Sequence, residues 1–231
     1  MQGELFFKFP STPHALVTPN TDLRIDKALD EDSVKRLFSS PITVEEKIDG
    51  ANLGISFDSN GEIVLQNRGK HIVKPYHGQW KKLLDWVPSH LDALFNGIED
   101  RYILFGEWCY AKHSILYTAL PDWFIGFDLF EKSEERFLSV ERRNILLNSM
   151  GISVVPIIGH GVFSKVQLPQ LLRKSAFSDC ECEGLYLRLD SENYLEIRAK
   201  YVRESFSQSI NEHWSKLSIQ HNSIKHNRTP I

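Results

Sequence analysis

The sequence predicts an α+β fold built on antiparallel sheets, and three observations support this. β-type runs come in hairpin-like clusters, and helical stretches lie between the clusters. Neither strict βαβ alternation nor a glycine-rich phosphate loop is present. The hairpin signal is strongest where Asp58-Ser59-Asn60-Gly61 joins Ala51–Phe57 to Glu62–Asn67, because Asn and Gly both tolerate positive φ.

In chain order, Glu4–Phe9 reads as a short strand and Glu31–Phe38 as a helix capped by Asp30 or Asp32. The pattern turns to β at Thr43. Helical periodicity runs from Tyr76 to Leu94, with Trp80, Leu83 and Leu84 on one face, and Pro88 is expected to divide it into two helices. Tyr102–Tyr110 and Trp123–Glu131 are strongly apolar strands joined by a loop around Lys112–Asp122. Ser139 caps a helix that ends near Met150, with Gly151 at the stop position. Val154–Ile158 predicts a strand and Lys165–Lys174 a helix. Leu185–Leu189 and Tyr194–Tyr201 predict a last strand pair, followed by an amphipathic Glu204–Leu217.

With 231 residues, 42% hydrophobic and 25% charged, the chain suits one sizeable core, which excludes a disordered tail, a fibre and a disulfide-stapled mini-protein. No apolar run approaches the roughly 20 residues of a membrane helix, and no signal-peptide core follows Met1. Cys109, Cys180 and Cys182 make no complete disulfide set, so a reducing, cytoplasmic setting without membrane contact is expected. The net charge of −3 hides an asymmetry. Arg198–Ile231 holds six Lys/Arg against Glu204 and Glu212, a net +4 that leaves −7 on the remainder. Ile63–Leu84 carries Arg68, Lys70, Lys74, Lys81 and Lys82 with no acid. Localised positive charge in an acidic protein points to a polyanion partner.

The chemistry is concentrated in Glu45-Glu46-Lys47-Ile48-Asp49-Gly50. A lysine ending an apolar stretch, with an Asp-Gly turn two residues on, can be held at the base of a pocket. Four further segments follow: Leu104-Phe105-Gly106-Glu107, Phe124 to Phe130, Glu183-Gly184-Leu185-Tyr186-Leu187, and Ile197-Arg198-Ala199-Lys200-Tyr201. Together these five motifs, in this order, resemble the covalent nucleotidyltransferases: ATP-dependent DNA ligases, RNA ligases and mRNA capping enzymes. Asn52, two residues after the glycine where DNA ligases carry arginine, narrows the resemblance to RNA ligases of the phage RNA ligase 2 type. Arg68, 21 residues beyond Lys47, fits that family's arginine.

The resemblance implies a nucleotidyltransferase domain over residues 1–202, with antiparallel sheets flanked by helices and the nucleotide between them. A short basic helix and tail would follow at 203–231. It also implies an ATP-dependent RNA ligase joining 5′-phosphate and 3′-hydroxyl ends through a lysine–AMP intermediate. Lys47 would be the nucleophile, with Glu183 and Lys200 catalytic and Asn52 acting in the later steps with nucleic acid. The nucleotide would be bound by Glu46, Ile48, Arg68, Glu107, Phe127, Leu185, Arg198 and Lys200, with Leu185 as the wall opposite Phe127. Glu183 and Glu107 would hold Mg2+ or Mn2+.

Arg198 stands where relatives have lysine, and the 31 residues after Lys200 are too few for an oligonucleotide-binding barrel, so a partner protein or separate RNA-binding subunit could supply substrate contacts. A minimal DNA ligase, a capping-type guanylyltransferase and a non-catalytic nucleic-acid-binding relative are the alternatives. A lysine amine attacks phosphorus only when neutral, so Arg198, Lys200 and the metal are expected to lower the Lys47 pKa.

Overall fold

The computed structural model describes residues 6–16, 28–203 and 220–225. Two antiparallel sheets face one another. One has strand order β3-β2-β4-β5-β6 and comprises β2 (Ala51–Phe57), β3 (Ile63–Gln66), β4 (Tyr102–Trp108), β5 (Phe124–Glu131) and β6 (Arg136–Phe137). The other, β7-β1-β8-β9, comprises β1 (Ile42–Lys47), β7 (Ile157–Gly161), β8 (Gly184–Asp190) and β9 (Leu195–Val202). The helices are α1 (Glu31–Ser39), α2 (Leu83–Ile98), α3 (Val140–Ser149) and α4 (Leu168–Leu171).

Period-two alternation decides which face each strand buries. Leu53, Ile55 and Phe57 of β2 and Leu104 of β4 pack with Leu83, Trp86 and Leu94 of α2 in the main core. Val44 of β1, Leu185, Leu187 and Leu189 of β8, and Ile197 and Ala199 of β9 form a second core with Leu37 of α1. The opposite faces of the two sheets therefore point toward each other, and the polar residues of both lie between them.

Local rules explain most elements. Asp30 caps α1, its carboxylate accepting from Ser33 N–H at 2.8 Å. In the β2–β3 turn, Asp58 accepts from the N–H groups of Asn60 and Glu62, while Gly61 alone takes positive φ (79°). Ser139 caps α3, and Gly151 follows at φ 69°.

Four expectations are corrected. Pro88 does not divide α2: the helix runs unbroken from Leu83 to Ile98. The carbonyl that Pro88 leaves without an N–H belongs to Leu84, which is exposed rather than on the buried face of Leu83. The strand expected at Val154–Ile158 lies three residues later. The Lys165–Lys174 helix reduces to a 3₁₀ turn and one α-turn around Pro169. Phe6–Phe9 is irregular: it packs by its rings, with Phe7 stacked on Phe130 at 3.9 Å and Phe9 against Phe105 at 4.9 Å. Glu4, Leu5 and Glu204–Leu217 lie outside the described residues. Residues beyond 203 are not all peripheral, because 220–225 return to the loop between β4 and β5. No helix among the described residues is long and apolar enough to cross a membrane.

Candidate active site: a cleft between the two sheets

A groove of about 1060 Å3 lies beside α1 and, apart from Tyr201, contains none of the motif residues. These converge instead on a smaller cleft of about 160 Å3 between the sheets, where Glu46, Lys47, Ile48, Arg68, Glu107, Phe127, Glu183 and Lys200 meet.

Lys47 ends β1. Its Nζ lies 2.6 Å from Glu183 Oε2, at the start of β8, because Lys47 pairs with Gly184 in the ladder. The turn that follows is fixed through Asp49. Its carboxylate accepts from Ser114 N–H (2.7 Å) and Ile115 N–H (3.0 Å), and its own N–H donates to the Tyr117 hydroxyl (2.8 Å). Gly50 has no room for a side chain, since a Cβ there would stand 3.0 Å from the Trp108 carbonyl and 3.1 Å from Cys109 Sγ. Asn52 faces Glu107 directly across the β2–β4 ladder.

Among the protein's own charges, carboxylates rather than cations dominate at Lys47. Burial does disfavour the ammonium, but the charges of Glu183 and Glu107 outweigh it and hold Lys47 above its ordinary value. Burial also raises Glu183, against the opposing pull of Lys47, and it pushes Glu107 up to about 8 despite Lys47 and Arg68. Glu107 Oε2, Glu46 Oε1 and both polar atoms of the Asn52 amide are buried without a hydrogen-bond partner among the described residues. The other Glu46 oxygen accepts from Ala176 N–H at 2.9 Å. Buried polar atoms left in this state are costly unless a ligand completes them.

Phe127 enters the cleft through a β-bulge. Phe105 pairs with Asp128 but Gly106 pairs with Gly126, so Phe127 is the extra residue. The bulge shifts the alternation of β5, which lets Phe127 line the cleft while Asp128, its neighbour in sequence, is buried between the sheets. Its carbonyl, freed from the ladder, accepts from Arg143 (2.5 Å) and Arg188 (3.3 Å). Arg143 of α3 pairs with Glu45 at 2.5 Å, and Arg188 pairs with Asp128, all four fully buried. This ion-pair network joins the two sheets immediately behind the ring.

Three assigned residues do not line the cleft, and Asn52, opposite Glu107 on β2, is the first of them. Leu185 is fully buried in the core on the opposite face of β8, and alternation puts Tyr186 in the cleft instead. Arg198 is engaged with Asp128 (3.4 Å) and lies over the rings of Phe9 (4.8 Å) and Phe137 (4.4 Å). Lys200, two residues on, does line the cleft. Sequence reasoning missed Phe9, Ser11, Thr12 and Val155 in the lining and the Arg143–Glu45 pair behind it. Only Tyr186 carried a readable signal, its parity with Arg188.

No group of three or more His, Cys, Asp or Glu among the described residues gathers as a metal cage. Glu183 and Glu107 nevertheless fit a hard divalent ion of the kind that takes one or two carboxylates and completes its shell with phosphate and water. The unpartnered Glu107 oxygen is the donor that such an ion would use.

A family model for RNA ligases matches residues 40–202, the segment that carries both sheets and all of the cleft lining except Phe9, Ser11 and Thr12. The chain belongs to the RNA ligase family. Among solved structures it is similar to an archaeal ATP-dependent RNA ligase in two forms. One has TM-score 0.62 and 23% identity, covering 89% of this chain and 51% of that one. The other has TM-score 0.59 and 23% identity, covering 86% and 48%. A Naegleria gruberi RNA ligase variant with ATP and Mn matches at TM-score 0.63 and 14% identity, covering 87% and 63%. These likenesses show the fold, and the chain spans about half the length of the archaeal ligases. Comparison with curated proteins gave no match.

Proposed function

We propose that this protein is an ATP-dependent RNA ligase, and that Lys47 carries AMP between ATP and RNA. The observation that carries the reading is the Lys47–Glu183 contact at 2.6 Å in a cleft where one oxygen each of Glu46 and Glu107 is buried without a hydrogen-bond partner among the described residues. That the archaeal relatives are ATP-dependent and a Naegleria relative was solved with ATP and Mn supports ATP and a divalent ion here.

In the first step Lys47 Nζ bonds to the α-phosphorus and the bond to pyrophosphate breaks. Glu183, within hydrogen-bond reach, orients the amine, and the two protons that the ammonium gives up as the phosphoramide forms leave to solvent. Lys200 and Arg68 offset charge on the phosphates. A divalent ion on Glu183 and Glu107 would withdraw the negative charge that keeps Lys47 protonated and would stabilise the phosphates. Phe127 offers a flat face to adenine, with Tyr186 opposite. Glu46 Oε1 accepts the exocyclic amino group, which guanine replaces with a carbonyl. AMP then passes to an RNA 5′-phosphate, and a 3′-hydroxyl expels it as the phosphodiester forms. Asn52, next to Glu107, serves these later steps. The cellular role this chemistry fits is RNA repair in the cytoplasm, with any RNA-binding partner acting beyond the cleft.

Incubation with a panel of nicked duplexes and single strands, in RNA and in DNA, tests the reading. Sealing at RNA 3′-hydroxyl ends is expected, because the 2′-hydroxyl is the group by which a protein separates RNA from DNA. Efficient sealing of an all-DNA nick with RNA ends ignored would make the chain a DNA ligase.

A further inference from the structure

Asn222 lies far from the nucleotide motifs in sequence and is buried, with 5% exposure. Its side-chain oxygen accepts from Tyr117 N–H at 2.9 Å, and its amide donates to the carbonyls of Cys109 (2.8 Å) and Ala111 (3.3 Å). One side chain thereby ties the start of the loop after β4 to its far side. The flanking backbone does the same. Asn222 N–H donates to Tyr110, Ser223 N–H donates to Tyr117, and Leu120 N–H donates to Ser223. The His221 ring stacks on Tyr110 at 4.3 Å.

The clamped loop is the one that grips the nucleophile turn. All three hydrogen bonds made by Asp49, two residues beyond Lys47, go to Ser114, Ile115 and Tyr117. The chain of contact is continuous: Asn222 holds Tyr117 and both carbonyls at the loop's start, the loop holds Asp49, and Asp49 sets the turn from which Lys47 reaches Glu183. Asn222 touches neither the cleft nor the base side of the site.

We propose that Asn222 is a positioning residue for Lys47, and that the returning segment 220–225 is a working part of the nucleotidyltransferase site. The inference rests on the reading of Lys47 as the nucleophile. Its structural consequence, an ordered Asp49 turn, can be measured without that chemistry. Nucleotide transfer requires the attacking nitrogen in line with phosphorus, so a loosened turn slows the bond-forming step while leaving the base pocket intact.

The test uses the full-length chain. Asn222→Asp keeps size and the acceptor to Tyr117 but sets an oxygen against two carbonyls. It should slow lysine–AMP formation at saturating ATP at least tenfold while changing the ATP concentration for half-maximal rate less than threefold. Amide hydrogen exchange at Asp49, Ser114 and Ile115 should accelerate in the same variant. Tyr117→Phe, which removes only the hydroxyl that Asp49 uses, should cause a smaller loss that does not add to that of Asn222→Asp. If Asn222→Asp is too unstable to purify, Tyr117→Phe and Asn222→Ser carry the same exchange measurement. Unchanged exchange at Asp49 in the folded variants, or equal losses in rate and ATP affinity, would overturn the proposal. A wild-type chain that never labels would instead refute the ligase reading, and the exchange result would still decide whether Asn222 orders the turn.

Discussion

The two sides of the cleft bury comparable numbers of polar groups and pair them to different degrees. Behind Phe127, Glu45, Asp128, Arg143 and Arg188 are fully buried, and each makes an ion pair with another of the four, with Arg188 Nε alone among their atoms left without a hydrogen bond among the described residues. Around Lys47, Glu107 Oε2, Glu46 Oε1 and the Asn52 amide are buried with no hydrogen-bond partner among the described residues. A protein stabilised by its polar interior completes its hydrogen bonds; one that leaves them open holds a binding site at a cost in stability. On the proposed reading, the paired side maintains shape and the open side does the chemistry.

Breaking the paired side should cost most in stability. Asp128→Asn removes the countercharge of Arg188 and Arg198 together and should destabilise the fold by about 3–5 kcal/mol in urea unfolding, the usual effect of stranding a buried charge. A loss under about 1 kcal/mol would mean that the pair does not join the sheets. On the open side, Lys200→Ala should reduce lysine–AMP formation by about 10²-fold with little change in unfolding midpoint. A large stability loss with normal rate would reverse its assignment.

The pH dependence of stability sharpens the same contrast. The folded pKa of Glu107 lies near 8, above its unfolded value, so its proton favours the native state. Stability is therefore fully present below about pH 4.5 and falls as pH rises through about 8, by up to ~1.4 kcal/mol per unit. Glu46 and Glu183 are raised too and act in the same direction. Glu107→Gln should flatten this decline, and an unchanged slope would show that Glu107 ionises freely. The smallest stability effect belongs to Asn52→Ala, within about 0.5 kcal/mol, because its amide has no protein partner to lose. Adenylylation should persist in that variant while RNA sealing drops roughly tenfold.

The site was readable in sequence where it depends on local order. Lys47-x-Asp49-Gly50, Glu107, Phe127, Glu183 and Lys200 each sit on a strand or strand end, and the topology brings them together in the cleft. The α+β class and the Asp58–Gly61 hairpin follow from alternation and turn chemistry. The failures have long-range causes. Leu185 and Tyr186 lie on opposite faces of β8, and the sheet's packing on α1 turns Leu185 into the core. Arg198 is taken by Asp128, 70 residues away, and by the rings of Phe9 and Phe137. The bulge at Phe127 is set by guanidinium groups on α3 and β8, which no window around Phe127 contains. The charges that set the Lys47 pKa within the protein are carboxylates brought beside it by β4 and β8, which no window around Lys47 contains.

The most direct test of the account is the mass and site of nucleotide on the protein. After incubation with ATP and magnesium, the intact wild-type chain should gain one adenylate. Peptide mapping should place it on Lys47, and Lys47→Ala should gain none. An adenylate on another residue, a guanylate from GTP in its place, or equal labelling of Lys47→Ala would contradict the assignment of the open side as the catalytic one.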